Sequence, residues 1–151
     1  MIDVSSELRR AYLSQLNGIN VEGKDIPVFD EIVNPTRVLP SVMGANSCYI
    51  LITDQSETEM TGTMCGDREN ANITIQVVSK YNSGYGGKRL TEIISGEIQS
   101  RVRDRSFVHN LAVNGFIVNR ITKVISQSVV ENNETETAYT KNIIYQNLIK
   151  L

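Results

Sequence analysis

The sequence predicts an α+β fold: a two-layer sandwich, with an antiparallel sheet, a long protruding hairpin and two helices packed on one face. Three observations indicate this fold: two segments with apolar residues at helical spacing, several segments of strand type, and polar turns between those strands. Strands joined mainly by hairpins form an antiparallel sheet, and two helices can then cover one of its faces. The length of 151 residues fits one domain spanning residues 1–151.

The first helix is predicted over residues 4–17. Asp3 or Ser5 could cap its start, and Gly18 is a suitable residue for its end. Apolar residues fall on one face of this segment, at Val4, Leu8, Tyr12 and Leu16.

The second helix is predicted in "GKRLTEIISGEIQSRV" and has the clearest helical spacing in the chain. Gly96 lies inside it, and we expect that glycine to permit close packing on the sheet. The apolar face of this helix consists of Leu90, Ile93, Ile94, Ile98 and Val102.

A long hairpin is predicted in the middle of the chain. The strand-forming segments "SCYILITDQSETEM" and "NANITIQVVSKY" bracket the polar "TGTMCGDREN". We expect the tip to lie near Gly66 and Asp67 and to project beyond the core. The earlier "GKDIPVFDEIV" contains Pro27 and is predicted to be an edge strand or an irregular extended segment. The Pro-containing residues 32–47 are predicted to be a loop, longer than a simple strand connection requires.

A second hairpin is predicted near the C-terminal end of the sequence. It pairs "GFIVNRITKVISQSVV" with "TAYTKNIIYQNLIKL" across the polar "ENNETE". In the last strand Ile143, Tyr145 and Ile149 share one face, whereas Ile144 and Leu148 share the other. Both faces are therefore partly apolar, and we expect one to pack on the helices and the other on a further partner.

Composition narrows the classes of function. The net charge of −2 and a pI of about 5.4 leave no basic excess, which argues against dedicated binding of nucleic acid or a membrane surface. Two cysteines, Cys48 and Cys65, are too few for a disulfide scaffold, so we expect a reducing compartment. We expect neither a signal peptide nor a membrane span, since no basic start precedes an apolar run and no apolar stretch approaches about 20 residues.

The stretch "SKYNSGYGGKRL" has the residue types of a phosphate-binding loop. Arg89 stands where such a loop needs Ser or Thr, and the glycines do not follow the dinucleotide-binding spacing either. We therefore interpret the glycines as a tight turn from strand to helix. Tyr81 and Tyr85 in this stretch are predicted to be exposed and to serve as anchors at a protein interface.

No catalytic, cofactor-binding or metal-binding residues are predicted, and we expect the protein not to be an enzyme. His109 is the only histidine, no G-x-S-x-G motif occurs, and neither cysteine has a second metal ligand near it. Arg101, Arg103 and Arg105 in "RVRDRS" fit either ordinary charge at a helix end or a salt-bridging interface patch.

The arrangement resembles the tail terminator and head-to-tail joining (neck) proteins of tailed bacteriophages. The resemblance covers nearly the whole chain and rests on the order and character of three segments: "ELRRAYLSQL", "SCYILITDQSETEM…NANITIQVVSKYNSGYGGKRLTEIISGEIQSRV" and "GFIVNRITKVISQSVVENNETETAYTKNIIYQNL".

The resemblance implies a structural virion protein that assembles in the host cytoplasm and forms a homo-oligomeric ring, commonly six-fold or a multiple of six. Such a ring caps the tail tube or joins it to the connector, so portal, adaptor or stopper proteins and tail tube proteins are its implied partners. DNA passes through the lumen only as cargo, and no cofactor or membrane is implied. The candidate interface residues are Met64, Gly66, Asp67, Arg68, Tyr81, Tyr85, Arg101 and Arg103.

Two other classes of function remain open at this stage. A small α+β binding module for a peptide or small ligand would need a concave apolar pocket. A hydrolase using His109 would need a catalytic partner for that residue, which the sequence does not supply.

Overall fold

The computed structural model describes residues 3–33, 37–60, 68–104, 107 and 117–150. The chain combines helices with a larger share of strands in two sheets, which confirms the predicted α+β class. The elements are α1 (Val4–Leu16), β1 (Asn20–Val21), β2 (Lys24–Asp25), β3 (Val28–Asp30), β4 (Ser47–Met60), β5 (Arg68–Asn82), α2 (Arg89–Arg103), β6 (Ile117–Asn132) and β7 (Glu136–Lys150).

The main sheet has five strands in the order β3-β4-β5-β7-β6, while β1 and β2 pair in a separate two-residue ladder. The pairs β4–β5, β5–β7 and β7–β6 are antiparallel. The last strand of the described chain therefore lies between two strands that precede it in sequence.

The prediction of a purely antiparallel sheet is wrong at one edge. Strand β3 pairs with β4 in parallel, with Val28 opposite Ile50 and Asp30 opposite Ile52. A parallel pair needs a connection of about a dozen residues or more, because the chain must return to the end at which it started. Residues 31–46 supply that length. The unexpectedly long loop is thus explained by the parallel pairing.

Strands β4 and β5, which are the two strands of the predicted long hairpin, pair from Ser47–Lys80 to Met60–Arg68. Strand β7 pairs with β5 over the same length, up to Arg68 opposite Lys150. The described part of the hairpin is therefore flanked by β7 rather than standing alone. The predicted tip at Gly66 and Asp67 lies outside the described residues.

Both helices contribute buried residues to one core cluster, which also contains Ile73, Ile75 and Ile143 of the sheet. In α1 the four predicted apolar residues are buried, and the Asp3 side chain caps the helix by accepting a hydrogen bond from Ser5 N at 2.9 Å. Tyr12, fully buried, packs edge-on against Phe107 and donates from its hydroxyl to Asn147 Oδ1 at 2.8 Å. Asn147 in turn donates to the carbonyl of Ala71 at 3.1 Å, so one polar chain links α1 to two central strands.

Two predictions about α2 are wrong. Ile93, assigned to its apolar face, is 40% exposed, whereas Leu90, Ile94 and Ile98 are buried as expected. Gly96 does not serve close packing on the sheet, because a Cβ atom placed there would meet nothing within 4 Å.

The opposite face of the sheet, which we call the far face, is mostly polar. Near β3 it carries a small apolar cluster of Phe29, Tyr49 and Val78, against which Val33, Leu39 and Leu51 pack. Elsewhere the alternation of the strands brings hydroxyl and amide side chains to this face: Asn72, Thr74, Gln76, Thr122, Gln127, Thr140, Asn142 and Gln146.

Candidate assembly surface

The outer edge of β6 is a long strand edge that carries exposed apolar residues. No described strand pairs with it on the side away from β7, although it is 16 residues long. Five of the nine large hydrophobic residues that are exposed in the described part of the chain lie on this strand: Ile117, Val124, Ile125, Val129 and Val130. Unpaired backbone groups beside exposed apolar side chains form a template for another β-strand.

The first half of β6 carries basic residues and contains two shifts of register against β7. Arg120 and Lys123 are exposed, and the register of β6 against β7 shifts between Val118 and Arg120 and again between Lys123 and Ile125. Lys123 lies on the helix side, where its Nζ donates to Gln99 Oε1 at 2.9 Å. The first half of the edge is thus basic, whereas its second half carries the acidic Glu131.

The opposite edge of the sheet is only partly covered. Strand β3 pairs with β4 at Ile50–Ile52, and on the side away from β5 no described strand pairs with β4 from Gln55 to Met60. The register between β4 and β5 shifts between Ile52 and Gln55, just where the cover by β3 ends. This uncovered segment is acidic, since it contains Glu57 and Glu59.

The carboxylates at this edge shift each other's pKa values. Glu57 accepts hydrogen bonds from the backbone N and the hydroxyl of Ser5, which lower its pKa. Burial, followed by the hydrogen bond and charge of Glu57 and the charges of Glu59 and Asp3, raises the pKa of Glu69 to about 7. A cation brought to this edge would relieve the repulsion between these groups.

The two tyrosines of the glycine-rich turn differ from each other. Tyr81 is buried, not exposed as predicted, and stacks edge-on against Tyr139 with ring centroids 5.6 Å apart. The ring of Tyr81 lies directly under Gly86, whose φ is +96°. Tyr85 is 70% exposed, in agreement with the expected exposure. The turn therefore needs glycine to accommodate a core aromatic ring, and Tyr85 alone is available to a partner.

Arg101 holds the two helices together. Its guanidinium donates to the carbonyls of Gln15, Asn17 and Gly18 at 3.1, 2.8 and 3.2 Å, and its Nε lies 3.2 Å from Glu97 Oε1. A cation at these carbonyls also stabilises the negative end of the α1 dipole. This intramolecular role accounts for Arg101, and a role in an interface stays a prediction.

Arg103 is exposed beside a depression between α2 and the sheet, with a volume of about 440 Å³. Burial raises the pKa of Tyr145 at this site to about 12, and the Arg103 charge acts in the opposite direction. The other residues of the lining are Val102, Ile121, Thr122 and Lys123. With two cations and two hydroxyl groups, the depression is not the apolar pocket expected of a ligand-binding module.

The remaining candidates are only partly described. Arg68 pairs with Met60 and Lys150 at the end of the sheet, and its buried Nε has no hydrogen-bond partner among the described residues. The candidates Met64, Gly66 and Asp67 lie outside the described residues, as do His109, Cys65 and Arg105. The roles proposed for these residues therefore stay predictions.

The described residues offer few other chemical groups. Within them no group of three or more His, Cys, Asp or Glu side chains is arranged to hold a metal ion. Cys48 is a free, buried thiol whose pKa burial raises to about 12. Of the described helices, neither is long and apolar enough to cross a membrane.

Strand β6 was not identified as a candidate site from the sequence, although its residue pattern indicated exposed apolar side chains. Val129 and Val130 are adjacent, so in a strand one of them must lie on each face. Such pairs do not produce the one-sided pattern of a strand that faces core and water.

No protein-family model matches the chain, and no curated protein matches it significantly.

Proposed function

We propose that this protein is a structural subunit of a tailed-bacteriophage particle. It forms a ring at the head–tail junction or at the end of the tail tube, joins the connector to the tail and lets DNA pass through its lumen. The observation that carries the proposal is the unpaired, partly apolar 16-residue edge of β6. A strand of this kind on a solitary protein would promote uncontrolled association, whereas a ring can cover it in every copy.

Two further features support this proposal. The two-layer arrangement that we infer, with helices on one face only, leaves the far face available for contacts or for lining a lumen. That face is dominated by amides and hydroxyls, and the whole chain has a net charge of −2. A chain without an overall excess of cations does not hold phosphates tightly, which suits DNA that has to slide. The implied partners are portal, adaptor or stopper proteins and tail tube proteins, contacted through the two rims of the ring.

We further propose that the ring is six-fold or a multiple of six and that the hairpin protrudes from the sheet. We infer that the hairpin reaches a neighbouring subunit or a partner ring. Tyr85 and Arg103 are exposed and remain candidate contact residues.

The oligomeric state of the purified protein tests the proposal. We expect ring-shaped particles in negative-stain electron microscopy, with a mass in sedimentation velocity that is a fixed multiple of the 16.8 kDa chain. A monomer that persists at high protein concentration would contradict the proposal.

A pair of matched variants connects assembly to β6. Ile125 on β6 and Ile93 on α2 are the same residue type with similar exposure, 45% and 40%. We expect Ile125→Lys to reduce the ring fraction strongly at a fixed concentration, because it introduces a charge into the covered edge. Ile93→Lys should leave the ring fraction close to that of the wild type. Equal effects of the two substitutions would show that β6 has no special part in assembly.

A further inference from the structure

The two free edges of the main sheet lie at the same level along the strands. Following the register across the sheet, Gln55 of β4 pairs with Ile73, Ile73 with Tyr145, and Tyr145 with Lys123 of β6. In the same way Glu57 is level with Ile121. The acidic uncovered segment of β4 and the basic first half of β6 thus occupy opposite edges at one height.

The directions of β4 and β6 also permit pairing between two copies. Because three successive pairs are antiparallel, β4 and β6 run in opposite directions within one sheet. A second copy in the same orientation, placed beside the first, would therefore bring its β4 antiparallel to β6.

We infer that neighbouring subunits join head to tail, with Ile117–Lys123 of one copy pairing with Gln55–Met60 of the next. This inference rests on the proposed ring and specifies which surfaces meet in it. The occupant of the β6 edge is a second copy of this chain, since the same chain carries the complementary charge on its other edge. A contact between two different surfaces propagates around a closed ring, whereas a contact of one surface with itself stops at two copies.

One pair of these charges, Lys123 and Glu57, lies on matching faces, whereas Arg120 lies on the far face. Lys123 lies on the helix side of β6, where it bonds to Gln99, and Glu57 lies on the helix side of β4, where it bonds to Ser5. With Lys123 opposite Gln55 of the next copy, Glu57 becomes the diagonal neighbour of Lys123. Opposite charges in such cross-strand positions attract each other. The same contact also brings a cation near the carboxylates of Glu57, Glu59 and Glu69, which repel each other at this edge.

In the next copy, β3 already pairs with β4 at Ile50–Ile52. The second half of β6 from the first copy therefore cannot pair with β4 at that position. The edges therefore have to diverge beyond Lys123, by about one strand spacing of 4.8 Å. Both edges are irregular at this level: β6 shifts register between Lys123 and Ile125, and β4 between Ile52 and Gln55. Bulges of this kind bend a strand, so they permit direct pairing below them and insertion of β3 above them.

Disulfide trapping tests the inference. Ser56 and Thr122 are exposed residues on the far face and lie at the same level of the two edges. Within one chain they are three strand spacings apart, about 14 Å, too far for a disulfide, which needs Cα atoms within about 7 Å. A bond between Ser56→Cys and Thr122→Cys can therefore form only between copies.

The experiment uses the full chain with Cys65→Ser, and Cys48 is retained because it is buried. After mild oxidation of assembled protein, we expect the double variant to give a ladder of covalent oligomers on non-reducing gels. The ladder should end at the number of subunits in the ring. Each single-cysteine variant should remain monomeric on the same gel.

The other outcomes overturn the inference in distinguishable ways. Rings in the micrographs without a ladder would refute this pairing but leave the proposed function standing. Covalent dimers from Thr122→Cys alone would show that β6 pairs with itself. Absence of any assembly would overturn both the inference and the proposed function.

A charge variant provides a second readout. We expect Lys123→Glu to lower the ring fraction at least several-fold and Lys123→Arg to preserve it, with the thermal stability of the single subunit as the control for folding. Equal ring fractions in both variants would contradict the role given to Lys123.

Discussion

Alanine at Gly86 should destabilise the fold, whereas alanine at Gly96 should stabilise it. Gly86 has a φ of +96°, and a Cβ atom placed there would come within 2.8 Å of Cε2 of Tyr81 and closer still to its Cγ and Cδ2 atoms. Gly96 lies within α2, and a Cβ atom there would meet nothing within 4 Å. The two substitutions are chemically identical, so each serves as the control for the other.

The magnitudes follow from these surroundings. An alanine in a left-handed conformation costs about 1–2 kcal/mol, and forcing a group against a packed ring costs about 1–3 kcal/mol more. Gly86→Ala should therefore lower the free energy of unfolding by about 2–5 kcal/mol. Gly96→Ala should raise it by up to about 1 kcal/mol, because glycine is the poorer helix former.

Urea denaturation followed by circular dichroism measures both values, at a protein concentration where the single subunit predominates. The dependence of the unfolding free energy on urea should stay constant, so that midpoint shifts report stability. A change below about 0.5 kcal/mol for Gly86→Ala would refute the packing of Tyr81 under the turn. A loss of stability for Gly96→Ala would show that an atom occupies the space found open there.

Three further predictions concern buried and charged groups. Tyr12→Phe should cost about 1–3 kcal/mol in urea denaturation, because Asn147 Oδ1 then stays buried without its donor; an effect near zero would contradict that hydrogen bond. Arg101→Lys should lower the thermal midpoint by a few degrees, since one ammonium cannot replace a guanidinium that spans three carbonyls. An unchanged midpoint would mean that these three hydrogen bonds contribute nothing to stability. The raised pKa of Glu69 favours folding below its ordinary value of 4.5, and this contribution is lost as the pH rises through about 7. Glu69→Gln should therefore flatten the decline in thermal midpoint between pH 5 and 8, and an unchanged decline would contradict the assignment to Glu69.

The elements with regular patterns were predictable from sequence. The face formed by Val4, Leu8, Tyr12 and Leu16 repeats at helical spacing, and all four residues are buried. The two hairpins also followed from strand patterns around polar turns. These features depend on neighbours close in sequence, which is why local patterns revealed them.

Features that depend on distant partners were not predictable. Tyr81 was predicted to be exposed because it stands in a polar, glycine-rich stretch, but its ring fills a space beside Tyr139 on another strand. The parallel pairing of β3 depends on where a long connection returns, and no residue of β3 itself encodes that path. The acidic edge of β4 and the basic edge of β6 become comparable only once the strand order is known.

The central place of β7 also has a consequence for how the chain is made. A ribosome releases β7 after every other described strand, yet β7 must enter between β5 and β6. Until β7 is inserted, β5 has no described strand partner on one side and β6 has no described strand partner. The outer edge of β6, which we propose pairs with the neighbouring copy, is therefore not yet part of the sheet. Nascent or prematurely terminated chains should therefore be unable to join the proposed ring until β7 has been synthesised.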